Sequence, residues 1–247
     1  MKKILAKIYT VLFSVSVFLV FGFISIIIPA TSPAFYRAQF EKYDVLRSVQ
    51  YQYRYLFDEE AREYISTLSD EELDALMMHV MDYCLYLEDD LNPTINGKTL
   101  TVFREDEYSH MQDVKEVFGG GLIIVLASVL IIIAGIVLFL VYRKGYYENC
   151  RKIPFITFAV IGGILLLIAL FALVDFNTAF IVFHLLLFEG NWTFANGVMI
   201  AMIGQIFFDI VPIIVAIWVG LIVLYVLTLC LYNKKQANKK TNPNLPK

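Results

Sequence analysis

Three histidines occur in the 247-residue chain, His79, His110 and His184, and two of them stand where chemistry is possible. The block EYSHMQDVK, residues 107–115, places His110 three residues ahead of Asp113. On a helix both would project from one face, so that the carboxylate orients the imidazole or raises its pKa. Lys115 would point to another side, toward a phosphate, Glu116 or Asp113. The bland alternative for His110 is a solvated histidine on a surface helix. His184 differs in kind, because it interrupts the apolar run FIVFHLLLF. An ionisable residue in such surroundings is costly and is by default a functional hypothesis. Its alternative is a neutral imidazole bonded to a backbone carbonyl. Just beyond it, Asn191 is a candidate donor to an ester carbonyl or a headgroup, and Trp192 is most simply an interface anchor.

Other chemistries fit the residues poorly. HExxH and GxSxG are both absent, and Ser109 would point about 100° away from His110 on a helix. His79 lies off the apolar stripe of its own segment and is read as structural, so a three-ligand metal site would have to recruit it against its helix face. No metal is expected. Of the cysteines, Cys84, Cys150 and Cys230, the topology derived below leaves only Cys84 outside, so no internal disulfide is expected there.

The elements that must position these groups are membrane elements. With 59% hydrophobic residues, 17% charged residues and a mean hydropathy of +0.67, the chain is too apolar for an ordinary soluble domain. Residues 8–28, 122–142, 155–174 and 213–232 are free of Asp, Glu, Lys and Arg, and each is long enough to cross about 30 Å of hydrocarbon. The first follows the basic leader Lys2, Lys3 and Lys7, but its apolar run is too long for a signal peptide and an uncleaved anchor is expected. Twelve of the twenty Lys and Arg fall before span one, between spans two and three, or after span four, accompanied by only one acid, Glu148. The positive-inside rule therefore places both termini in the cytoplasm of a multi-pass cell-membrane protein.

The expected layout is a cytoplasmic N-terminus and first span over residues 1–28, an extracellular domain over 29–121, spans over 122–142 and 155–174 joined by a cytoplasmic loop at 143–154, a re-entrant or interfacial segment over 175–212, a fourth span over 213–232 and a cytoplasmic tail over 233–247. The class is all-α, with four transmembrane helices and a mostly helical extracellular domain carrying a possible short hairpin. All four spans lack embedded acids or bases, which disfavours an ion or solute transporter. Nucleic acid is an unsuitable partner at a net charge of -3. The basic ends are expected to touch anionic phospholipid headgroups, and a monomer is expected.

Within the outer segment, residues 32–59 are rich in Tyr, Phe and Arg, as in chain lying at a membrane interface. Ser69 followed by Glu72 forms a capping box. Leu73, Leu76, Met77, Val80, Cys84 and Leu87 then fall on one stripe, which leaves Asp74, Asp82 and Glu88 for solvent or a partner, with Asn92-Pro93 as the stop. Asn96-Gly97 signals a hairpin turn. REDEYSHMQDVKEVF reads as a helix that Gly119, Gly120 and Gly121 should end or bend before the second span.

The stretches FREDEYSHMQDVKEVF, residues 103–118, and FHLLLFEGNWTF, residues 183–194, set in this four-span layout, resemble the lipoprotein intramolecular transacylase (Lit) family of Gram-positive bacterial integral membrane proteins. The resemblance covers most of the chain, and its specific part is the His-Met-x-Asp-Val-Lys block with the later Phe-His and Asn-Trp. It implies an acyltransferase that moves an acyl chain from the sn-2 ester of a diacylglyceryl-modified lipoprotein to the α-amine of its N-terminal cysteine, leaving the lyso form, with no cofactor needed because ester-to-amide transfer is downhill. It implies that His110 and His184 carry the reaction, and Tyr108, Asp113, Lys115, Asn191 and Trp192 are the expected substrate-binding or orienting residues. Arg104 departs from expectation, since a capping Ser, Thr, Asp or Asn would suit the position after Phe103, and the outer segment is long and acidic. A non-catalytic membrane partner or lipid-binding protein of the same family is the alternative reading.

Overall fold

The computed structural model describes residues 2–141, 150–188, 192–193 and 196–241. In chain order the helices are α1 (Lys2–Ala30), α2 (Pro33–Tyr43), α3 (Val45–Gln50), a 3-10 turn (Tyr51–Tyr55), α4 (Glu59–Ser66), α5 (Asp70–Cys84), α6 (Glu105–Val141), α7 (Ile153–Val174), α8 (Phe176–Leu187), α9 (Val198–Ile203) and α10 (Phe207–Thr241). A two-stranded ribbon, β1 (Thr94–Ile95) and β2 (Lys98–Thr99), stands between α5 and α6. Among the described residues four helices, α1, α6, α7 and α10, are long and apolar enough to cross a membrane. In α6 the polar turns come first, and the part without charge begins at residue 117.

The chain divides into two compact units, residues 1–25, 124–173 and 214–247 in one and residues 26–123 and 174–213 in the other. The first unit is built from the apolar helices. Val17, Phe18 and Phe158 are its buried centre, with Trp218 and Tyr225 against them. Polar atoms here must find partners inside the protein, since hydrocarbon offers none. Thr10, Ser14 and Ser25 turn their hydroxyls back to carbonyls of the preceding turn, at 2.6–2.8 Å. Tyr9 donates to the carbonyl of Ile131 at 2.6 Å, and the Trp218 indole N–H donates to that of Phe18 at 3.2 Å.

The second unit has the larger core. Helix α2 starts on Ser32, whose hydroxyl accepts from the Phe35 amide, with Pro33 at the first helical position where its missing N–H costs nothing. Helix α5 starts on the complete Ser69–Glu72 capping box. Leu73, Leu76, Met77, Val80 and Cys84 of α5 are buried together with Val45 and Val49 of α3 and Val198 and Met202 of α9. The turn Asn96-Gly97 takes φ values of 51° and 79°, as a two-residue hairpin requires, with Thr94 paired to Thr99 and Ile95 to Lys98.

Three local expectations are corrected. Leu87 is 71% exposed rather than on the buried stripe, because α5 stops at Cys84, ahead of Asn92-Pro93, and Tyr86 turns into the left-handed region with φ 63°. Asp74 is buried rather than solvated, because Arg37 of α2 donates to it at 2.7 Å. The three glycines do not end a helix, since α6 runs through them to Val141. Gly119 instead makes room, because a Cβ there would lie 2.5 Å from the Tyr86 hydroxyl. The hydrogen bonds of one continuous helix offset a propensity cost of about 1 kcal/mol per glycine.

Candidate functional site

Helix α6 needs no side-chain hydroxyl at its start. Arg104 occupies the cap, and Glu107, three residues on, reaches back to accept from the Arg104 backbone N–H at 3.1 Å. This is half of a capping box, and it explains why Arg104 serves where Ser or Asp was expected. The Glu107 side chain is fully buried, and its other oxygen accepts from the Met199 amide at 2.7 Å. Arg104 pairs with Asp106 and donates to the carbonyl of Asn196 at 2.7 Å. Gln52 accepts from the Gly197 amide at 3.0 Å. The segment entering α9 is thus held at three positions, 196, 197 and 199 being reached by Arg104, Gln52 and Glu107. Gly197 has φ 149°, and a Cβ on it would lie 2.2 Å from the Glu107 carboxylate. Burial raises the pKa of Glu107, opposed by the two amides and Arg104 that favour its charge.

His110 follows Glu107 by three residues, so the anchored start of α6 sets its direction. His184 comes from α8, which is capped by Asp175 accepting from the Thr178 amide at 3.0 Å. The two imidazoles meet with ring centroids 6.2 Å apart and planes inclined by 25°. Two groups able to donate or accept a proton are thereby placed side by side.

His184 is buried in a box of rings. Phe180 is 3.9 Å away by centroids, Trp192 4.8 Å, Phe183 5.3 Å and Phe188 5.4 Å. Its Nδ1 lies 2.8 Å from the Phe180 carbonyl. A carbonyl only accepts, so the neutral ring carries its proton on Nδ1, and Nε2 keeps the lone pair. The carbonyl partner foreseen as the bland reading of His184 is therefore present, and it leaves the second nitrogen for chemistry. Phe188 also lies 4.9 Å from the His110 ring, edge to face.

Burial lowers the pKa of His110, the neighbouring His184 lowers it further, and Asp113 pulls it up. Its folded pKa thus lies below the ordinary value near 6.5. Below that pH the unfolded chain binds the proton more readily, so His110 adds stability above about pH 6.5 that is lost as pH falls toward its folded pKa. Melting temperature should therefore fall more steeply on acidification in the native protein than in His110→Gln. Parallel slopes below pH 6.5 would contradict the assignment.

The other expected residues are distributed unevenly. Trp192 stands against His184, and Asp113 acts on His110 through space. Tyr108 packs on the core instead, with its ring 6.3 Å from Tyr83. Lys115 donates to the Glu88 carbonyl at 2.9 Å and sits 3.9 Å over the Tyr83 ring and 4.9 Å from that of Tyr86, so it ties α6 to the end of α5. Neither is brought to the histidine pair. Asn191 lies outside the described residues. His79 bonds the Asp90 carbonyl at 3.0 Å. Glu107, Phe180 and Phe188 were missed by sequence reasoning. Their signals were the same-face spacings, three residues before His110 and four residues either side of His184.

A polytopic helical membrane protein in which two remote histidines share one aromatic enclosure is the class that this fold and site define. Residues 11–208 match the family model described as Lipoprotein intramolecular transacylase Lit, and the chain belongs to that family. It is accordingly an acyltransferase. Among solved structures, the membrane integral lipoprotein intramolecular transacylase Lit from Bacillus cereus is similar at 18% identity with a TM-score of 0.64, over 94% of this chain and 98% of that one. A variant of the same protein with one histidine replaced by arginine is similar at 17% identity with a TM-score of 0.62, over 95% of each chain. At these identities the likeness concerns the fold. A search of curated proteins finds no match.

Proposed function

We propose that this protein transfers an acyl chain from the sn-2 ester of a diacylglyceryl-modified lipoprotein to the α-amine of its N-terminal cysteine, with His184 moving the proton and His110 stabilising the oxyanion by a hydrogen bond. The observation that carries the reading is the convergence of the two imidazoles to 6.2 Å from separate helices.

The amine nitrogen attacks the ester carbonyl and forms the C–N bond, and negative charge develops on the carbonyl oxygen. His184 takes the amine proton at Nε2, the nitrogen left with a lone pair by the bond to Phe180. The neutral His110 ring donates an N–H to the developing oxyanion. Collapse of the intermediate breaks the sn-2 C–O bond, and the proton held by His184 passes to the departing oxygen. The products are an N-acylated cysteine and a free sn-2 hydroxyl, with no net proton or electron gained or lost. Ester-to-amide transfer is downhill, so no cofactor is invoked. Both groups sit on one substrate molecule, which makes proximity intrinsic. The rings around His184 bury the reacting region, and the faces of Phe180 and Trp192 favour the transient imidazolium. The site faces the outside in this reading, with both termini in the cytoplasm and residues 29–121 and 175–212 outside.

The test is purified protein with a synthetic diacylglyceryl lipopeptide. The expected product has the same mass as the substrate, with one acyl group moved to nitrogen, as tandem mass spectrometry shows. A lipopeptide whose amine is already acetylated should remain unchanged. Release of free fatty acid from both peptides would indicate a hydrolase and overturn the reading, and unchanged free-amine peptide would favour the lipid-binding alternative.

A further inference from the structure

Helix α5 ends in a turn that is regular in its bonds and unusual in its residues. The Tyr86 N–H donates to the Tyr83 carbonyl at 3.2 Å and the Leu87 N–H to that of Asp82 at 2.8 Å, the paired bonds of a Schellman cap. Such a cap ordinarily has glycine in its left-handed position and turns the next apolar residue back onto the helix. Here Tyr86 takes the left-handed position, with φ 63°, and Leu87 after it stays exposed. A bulky side chain is disfavoured at positive φ, so its surroundings must hold it there. Part of that hold is α6. The Tyr86 hydroxyl fills the space that Gly119 leaves, and Lys115 donates to the Glu88 carbonyl while its ammonium stands beside the Tyr86 ring.

The level at which the turn docks on α6 decides what it faces. No charged residue occurs from 117 to 142, and the roughly 20 residues that cross hydrocarbon, counted back from 142, end near residue 122. Gly119 lies three residues further out, about 4.5 Å at 1.5 Å per residue, and Lys115 about 10 Å out. The headgroup layer is about 5–8 Å thick on each side, and any tilt of the helix lowers both levels. The Tyr86 ring therefore lies at headgroup depth, where aromatic rings concentrate.

We propose that the turn Tyr86-Leu87 is a membrane anchor, with the Tyr86 ring among the headgroups and the Leu87 side chain at the top of the acyl chains, in the leaflet through which α6 enters. The occupant is lipid because the turn is continuous with the surface that α6 itself brings to the bilayer, where Val117 and Ile123 are also exposed. Glu88, Asp89 and Asp90 are exposed immediately beyond and keep the rest of the loop in water. Their charge repels anionic headgroups, so the contact is apolar and does not select among lipids.

The test uses full-length protein in phosphatidylcholine vesicles, with Cys230→Ala removing the exposed native thiol while Cys84 and Cys150 are buried. A spin label on Leu87→Cys should collide more with oxygen than with a water-soluble nickel chelate. A label on Asp89→Cys should show the reverse, and adding phosphatidylglycerol should change neither. In the protein without substitutions, a phosphatidylcholine with a diazirine near the top of one acyl chain should label the peptide carrying Leu87. Leu87→Asp should remove most of that labelling and leave the peptides of the spanning helices labelled as before. Nickel access at 87 equal to that at 89, or labelling confined to the spanning helices, would overturn the proposal. So would a short spin–spin distance between two labels at 87, since a second copy of the chain would then be the occupant.

Discussion

Replacing His184 with alanine is expected to lower the turnover number for acyl transfer by about 10²–10⁴-fold, the usual worth of a positioned proton acceptor. His110→Ala should lose a similar factor, and the double variant should fall little below the weaker single one. Groups that serve one transition state are not additive. The loss should appear in turnover and not in substrate retention, because the imidazoles act on charge that exists only during reaction. Both variants should keep their fold. The His184 hydrogen bond runs to the preceding turn of its own helix, and the helix survives without it. Turnover within a factor of two of the native protein, in either variant with its helix content intact, would end the two-histidine mechanism while leaving membership of the family untouched.

Glu107→Ala is expected to produce the largest loss of stability. The carboxylate is completely buried and satisfies the Arg104 and Met199 amides at once. Its removal leaves two donors without their acceptor, each costing about 1–3 kcal/mol, and a void besides. Glu107→Gln should be milder, because the amide still offers one oxygen but turns its NH2 toward the other N–H. The functional consequence follows from geometry. The anchored stretch at 196–199 lies a few residues beyond Trp192, which covers His184. Freeing it should loosen the ring from the imidazole and lower turnover even at temperatures where the protein remains folded. Hydrogen exchange reports this directly. The Met199 amide should exchange faster by one to two orders of magnitude in Glu107→Ala, about the factor that 1.4–2.8 kcal/mol represents. Unchanged protection there would show that the buried carboxylate does not hold the segment. Gly197→Ala offers a converse check, since its Cβ would intrude on an intact Glu107 at a φ that L residues rarely adopt.

Much of this arrangement was legible from residues read in order. The apolar runs of the spanning helices, the Ser69–Glu72 cap and the Asn96-Gly97 turn all rest on interactions between near neighbours, and all are seen in the structure. The misreadings share a physical cause. Asp74 looked solvated because a sequence shows charge but not the Arg37 that meets it from another helix. Gly119 looked like a stop because its propensity is visible while the Tyr86 ring that needs the space is not. Lys115 had a phosphate, Glu116 and Asp113 as its possible partners in the sequence, and the Glu88 carbonyl with the Tyr83 and Tyr86 rings, which engage it, come from the end of another helix.

By itself, then, the sequence determined four apolar helices, the polar segments between them and two histidines in unusual settings, since periodicity, charge and capping act within a few residues. Only the tertiary structure decided that His110 and His184 face one another, that Nδ1 of His184 is spent on Phe180, and that Glu107 clamps the start of α9. Such pairings depend on how remote helices pack and on which buried donors must find acceptors, and neither is encoded in spacing along a single element.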